Sequence, residues 1–273
     1  MIDYYSLSKS FVISIVSALC AYLLVFLYTN FAPLYFAYDF DILAFVNLSG
    51  IHFLTNTGVD YGSRDALVTI LLSKPISAVI VGIISLLILM VGNKKPISVI
   101  LFLFWVNVFA FNTGFGILID DAVAHSGTYE VAVAMNINFA IQVIMAILFA
   151  YILYKIGMMN GRLIIMSFPH QNLCLMTPRL IFFTAIFLIP WLLVVGYTYV
   201  SGGASVSISE LMKNLPVLVL LIPFLTAAKP ENTDFKYLPT VRHKLIDIII
   251  SILFIILTII TIIILKNEIT ISG

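Results

Sequence analysis

Long apolar runs dominate this chain, and its polar residues gather between those runs rather than alternating with apolar ones. A bilayer core of about 30 Å needs about 20 apolar residues at a helical rise of 1.5 Å each. Apolar runs of that order occupy 11–29, 76–91, 98–119, 131–154, 180–200 and 245–265, uncharged except for Asp247 near the start of the last. A weaker run at 215–228 contains Pro216 and Pro223 and reaches full length only when 211–214 are added to it. The pattern predicts an all-α fold: a polytopic helical membrane protein of about seven transmembrane helices. Most connections are short and no fixed-period repeat is visible, so 1–273 reads as a single membrane domain. The first run reads as a span and not a cleavable signal, because Asp3 lies in its leader and no small-residue cleavage site follows.

Two connections are long enough to hold structure of their own. The segment 31–75 is rich in aromatics, including Tyr35, Tyr38 and Phe53, which suit a membrane interface. Within it, Ser63 is a plausible helix cap and Lys74-Pro75 a stop, so a surface helix is expected near 65–73. The segment 157–178 is apolar for a loop, with Met158, Met159 and Met176, and reads as an interfacial stretch.

Composition supports this class. Hydrophobic residues make up 62% and charged residues 10%, with a mean hydropathy of +1.14. A soluble domain carries roughly 25% charged residues, so soluble and disordered chains are excluded. The net charge of +1 offers a polyanion no attractive field, which excludes a nucleic-acid binder. Cys20 and Cys174 are too few for a disulfide framework or a thiolate metal site.

Loop charges set the expected orientation. Lys94 and Lys95, then Lys155, Arg162 and Arg179, then Lys229, Lys236, Arg242 and Lys244 fall in alternate connections. The intervening ones carry Asp39, Asp41, Asp60 and Asp65 against Arg64 and Lys74, then Asp120, Asp121 and Glu130, then Glu210 with Lys213 close behind, so the alternation is least clean at the fifth connection. Basic residues are retained in cytoplasmic loops, so the N-terminus is expected to be cytoplasmic, the C-terminus external, and the host membrane the plasma membrane. On this frame 31–75 is an external loop and 157–178 a cytoplasmic one.

Polar side chains inside apolar helices mark either packing or function. Here they concentrate in the third and fourth spans, as Asn107, Asn112, Asn136, Asn138 and Gln142. At 1.5 Å per residue, Asn107 and Gln142 share a depth of roughly 16–20 Å from the outer ends, and Asn112 and Asn138 one of roughly 10–12 Å. An intramembrane polar ladder across one helix pair is therefore expected, with Gly114 and Gly116 easing close approach. Asp120, Asp121, His125 and Glu130 form an external polar cluster at its mouth. Asp121 and His125 are spaced i, i+4 on one helical face, a pair too small to define a metal site.

No histidine opens an H-E-x-x-H pattern, no G-x-S-x-G occurs, and no Walker A motif is present. No catalytic residue, metal or cofactor is assigned. Pro190, Pro216 and Pro223 put breaks in the fifth and sixth spans, which suits backbone lining a cavity. The expected function is an integral membrane subunit or transport component in a larger complex, partnered by the lipid bilayer and other membrane subunits. The alternative is a membrane enzyme acting at the external face on a lipid or lipid-linked substrate.

Overall fold

A computed structural model of the protein describes residues 4–53, 61–91, 95–124, 127–168, 173, 175–201, 213–227 and 244–270. The chain is mainly helical, and among the described residues six helices are long and apolar enough to cross a membrane. Helix α1 (Tyr4–Asp39) packs against α2 (Arg64–Met90) and α3 (Ile97–Phe111), and these three form the centre of the molecule. A π-turn (Asn112–Gly116) joins α3 to α4 (Ile117–Ala124), and α5 (Thr128–Ala134) leads into α6 (Phe139–Ser167). Helix α7 (Met176–Phe183) passes through a second π-turn (Thr184–Leu188) into α8 (Ile189–Ser201). Two short pieces, α9 (Pro216–Leu221) and α10 (Pro223–Thr226), pack on α6, and α11 (Lys244–Lys266) packs on α1.

Several boundaries differ from expectation, each for a physical reason. Helix α1 runs well past residue 29, and part of the remaining segment 31–75 is a small antiparallel sheet ordered β2-β1-β3. Strands β1 (Ala44–Asn47) and β2 (Gly50–Phe53) form a hairpin whose turn is tied by Asn47 Oδ1, which accepts from Ser49 N at 2.9 Å. Gly50 closes that turn at φ 135°, a conformation that favours glycine. Strand β3 (Ile269–Thr270) adds to β1 from the far end of the chain.

The separate surface helix near 65–73 is not formed. Ser63 does cap a helix, its Oγ accepting from Ala66 N at 3.1 Å, but that helix is α2 itself, which continues through Pro75 to Met90. Lys74 is tolerated within it because its Nζ donates to Asn30 Oδ1 at 2.9 Å on α1. The expected fourth span is broken at 135–138, so its helix starts at Phe139 and reaches Ser167, absorbing the first half of 157–178. The weak run at 215–228 yields only the short pair α9 and α10, divided at Pro223.

Two polar layers frame the bundle. At one end Lys9 Nζ donates to Asp247 Oδ2 at 3.0 Å, and the other carboxylate oxygen accepts from Ser98 N at 3.3 Å and Ser98 Oγ at 3.1 Å, joining α1, α3 and α11. At the other end Asn30 meets Lys74. These layers lie 21 residues apart along α1, a rise of about 31 Å, which matches a bilayer core. Between them the outward faces are apolar, as in Ile141, Ile144 and Ile147 of α6 and Ile248, Ile252 and Ile256 of α11. Beyond the Asn30–Lys74 layer, the ends of α1 and α2 and the sheet bury their own core of Leu34, Ala37, Val46 and Ile70.

Candidate functional site

Asn107 has no exposed surface and sits on α3 between two other helices. Its Nδ2 donates to Gly82 O at 3.2 Å, and its Oδ1 accepts from Asn160 Nδ2 at 2.6 Å. Its partner is therefore Asn160 of α6 and not Gln142, because α6 runs on where a loop was expected. The other expected pairing also fails. Asn112 Nδ2 donates to Lys213 O at 3.2 Å, whereas Asn138 caps α6 by accepting from Ala140 N at 3.0 Å. Gln142 Nε2 donates to Ile137 O at 3.0 Å, and Asn136 takes φ 57° in the break before α6. These three residues serve the chemistry of that break, so the five amides form no ladder.

The acidic residues are likewise dispersed. Asp121 is buried, and its Oδ2 accepts from Thr128 N at 2.9 Å and Thr128 Oγ1 at 2.8 Å, capping the start of α5. Gly127 stands against that carboxylate at φ 56°, and a Cβ there would lie 2.7 Å from Asp121 Oδ2. Glu130 is exposed on α5, Asp120 is half-buried on α4, and His125 lies outside the described residues, as does Asp60. His52 is exposed on the hairpin, stacks on Phe45 and places Nε2 2.7 Å from Ser49 Oγ. Among the described residues no three His, Cys, Asp or Glu side chains group as a metal site.

What the fold does assemble is a cavity of about 170 Å³ beneath the hairpin, next to the Asn30–Lys74 layer. Its apolar wall comes from α1 and α3, with Tyr22, Phe26 and Phe109, where Tyr22 and Phe109 meet edge to face at 5.5 Å. Its polar wall comes from Thr29, Lys74, Thr198 of α8, Lys213 and Asn214, with Asn112 and Thr113 of the π-turn. Ser49 and Gly50 of the hairpin turn roof it. The π-turn matters here: it carries one extra residue per turn and rotates the downstream helix by roughly 100°, so Asn107 and Asn112 serve different interfaces. Asn112 is buried, and its Oδ1 has no hydrogen-bond partner among the described residues. About 10–15 Å³ of such space admits one water, so this cavity has room for a small polyatomic ligand.

The sequence signalled Asn112 as a polar residue in an apolar span, but not Lys74, which read as a helix stop, or Lys213. It also gave no weight to Ser14, whose Oγ accepts from Trp105 Nε1 at 2.9 Å and donates to Ile186 O at 2.6 Å in the second π-turn. Arg179, counted only as a loop charge, is buried and donates to Leu173 O, Leu225 O and Ala227 O, satisfying carbonyls at the end of α10. No family model matches the sequence, and no curated protein or solved structure matches the chain.

Proposed function

We propose that the chain is a multi-pass plasma-membrane protein acting as a transport component or ligand-handling subunit, with the cavity beneath the hairpin as its binding site. The hairpin end is the external face and the Lys9–Asp247 end the cytoplasmic face, in keeping with the alternation of loop charge. The cavity is the observation that carries this reading. It combines aromatic walls with a few convergent polar groups at the boundary of the apolar layer, as small-ligand sites do. Two features of the surrounding helices add support. Both π-turns fall in helices that line it, and such turns recur at functional sites. The enzyme alternative needs carboxylates and a histidine around a cleft, whereas Asp121 is committed to Thr128 and no described carboxylate lines the cavity.

The test is solvent access. With Cys20 and Cys174 replaced, Thr113→Cys in the cavity wall should react with a small charged thiosulfonate in lipid nanodiscs, and Val108→Cys, fully buried on α3, should not. An inert Thr113→Cys would remove the cavity as a ligand site.

A further inference from the structure

We infer that the cavity takes an uncharged polyhydroxylated guest, a sugar, either free or as the headgroup of a glycolipid. This inference rests on the cavity being a ligand site and adds the chemistry of what it takes.

Charge sets the first limit. Among the described residues no carboxylate lines the cavity, so an ammonium guest finds no counterion there. The two lysines on its wall are already engaged. Lys74 Nζ donates to Asn30 Oδ1 at 2.9 Å, and Lys213 shares its field with the Asp120 carboxylate of α4. An anionic guest would compete with those partners and lose its hydration at the edge of an apolar layer.

The hydroxyls set the second limit. Thr29 Oγ1 donates to Phe26 O at 3.4 Å and Thr198 Oγ1 to Val195 O at 2.7 Å, so both protons are spent on helix carbonyls. What these two oxygens bring to the cavity wall is acceptor lone pairs. Ser49 Oγ donates to Asn47 Oδ1 at 2.6 Å and Asn112 Nδ2 to Lys213 O, so further donors are spent within the protein. Such a wall disfavours an oxyanion and suits a guest that brings its own O–H donors. Thr113 and Asn214 add groups that both donate and accept, as a hydroxyl-rich guest does.

The aromatic side sets the third. Tyr22 and Phe26 stand one turn apart on α1, and the Tyr22 ring meets Phe26 at 6.0 Å and Phe109 at 5.5 Å between centroids. Tyr22 and Phe109 are inclined at 77°, so they form no slot between parallel rings for a planar base. The negative face of a ring instead receives C–H groups, which a sugar carries on its faces while its hydroxyls point outward. Size agrees with this guest. At about 10–15 Å³ per water-sized group, the cavity of about 170 Å³ holds on the order of a dozen, near the non-hydrogen atom count of a hexose.

The experiment measures binding by calorimetry and thermal stability with the full chain. Glucose, galactose and mannose are titrated in a detergent without a sugar headgroup, and inorganic phosphate is titrated beside them. Nanodiscs containing galactosyl- or glucosyl-diacylglycerol are compared with pure phosphatidylcholine. At least one free sugar should bind if the guest is free, or a glycolipid alone should stabilise the chain if it is a headgroup. Raising the ionic strength should leave the response unchanged, since no guest charge is involved. Thr198→Val should weaken it about fivefold, the loss expected for one neutral hydrogen bond, and Tyr22→Leu by a similar factor through the lost ring face. Thr261→Val, which removes a hydroxyl bonded to its own helix carbonyl on α11, should keep it. Thr198→Val and the salt series decide the matter if Tyr22→Leu fails to fold. No response to any sugar probe, a response that Thr198→Val leaves intact, or stabilisation by inorganic phosphate in place of the sugars overturns the inference. If Thr113→Cys is nevertheless reactive, the cavity remains a ligand site and only its chemistry is wrong.

Discussion

Asn107 uses both ends of its amide and has no exposed surface, so losing a partner strands a buried polar atom there. Asn160→Leu should therefore destabilise the detergent-solubilised protein by about 1–3 kcal/mol, whereas Gln142→Leu should cost within about 0.5 kcal/mol. Unfolding in a mixed-micelle titration separates the two, and equal costs would refute the pairing. At the Lys9–Asp247 layer the asymmetry is one of burial: Asp247 is 1% exposed and Lys9 31%. Lys9→Met leaves a buried carboxylate whose only remaining donor among the described residues is Ser98, and should cost about 1–3 kcal/mol, less than the roughly 3–5 for a fully buried pair. Asp247→Asn, whose amide can still accept from Ser98, should cost less, and the same titration ranks them. Outside the spans, burial and the nearby Glu130 carboxylate push the Tyr61 hydroxyl up to about 12. The folded state thus holds its proton after the unfolded chain releases it near pH 10, so this contribution is intact below pH 10 and is lost as pH rises towards 12. Tyr61→Phe should flatten that alkaline loss, read as stability against pH. Asn107 was legible as an intruder in an apolar run, but its partner was not, because Asn160 sits in a stretch whose Arg162 and flanking methionines read as loop.

Helix contacts turn on a few glycines. Gly157 of α6 faces the backbone of α9, where an added Cβ would collide with Leu220 O, while Gly196 of α8 meets nothing within 4 Å. Gly157→Ala should destabilise by about 1–3 kcal/mol through overpacking, and Gly196→Ala should be neutral or stabilising by up to about 1 kcal/mol through helix propensity. Thermal unfolding in detergent checks both, and a neutral Gly157→Ala would contradict the α6–α9 packing. Span positions were legible because twenty apolar residues have few alternatives, but span ends were not. Lys74-Pro75 has the chemistry of a helix stop, yet α2 continues because Asn30 receives the lysine and neighbouring helices support the backbone around the proline. The hairpin left a faint trace, since Asn47 to Gly50 is a turn sequence between short alternating segments, and the surrounding aromatics obscured it.

Taken whole, the molecule is a bundle bounded by two polar layers, with a sheet-capped core beyond one of them and the cavity beneath that cap. The candidate site was the part least visible in advance. Its residues come from six separated segments, and no spacing along a chain reports that a helix end, a hairpin turn and a π-turn meet around one space. With the hairpin end external, that space faces outside. Single cysteines at Ser49, in the hairpin turn, and at Thr177, exposed at the start of α7, test this in a background lacking Cys20 and Cys174. In intact cells an impermeant maleimide should label Ser49→Cys and leave Thr177→Cys untouched until the membrane is opened. Labelling of both from outside, or of Thr177→Cys alone, would contradict it.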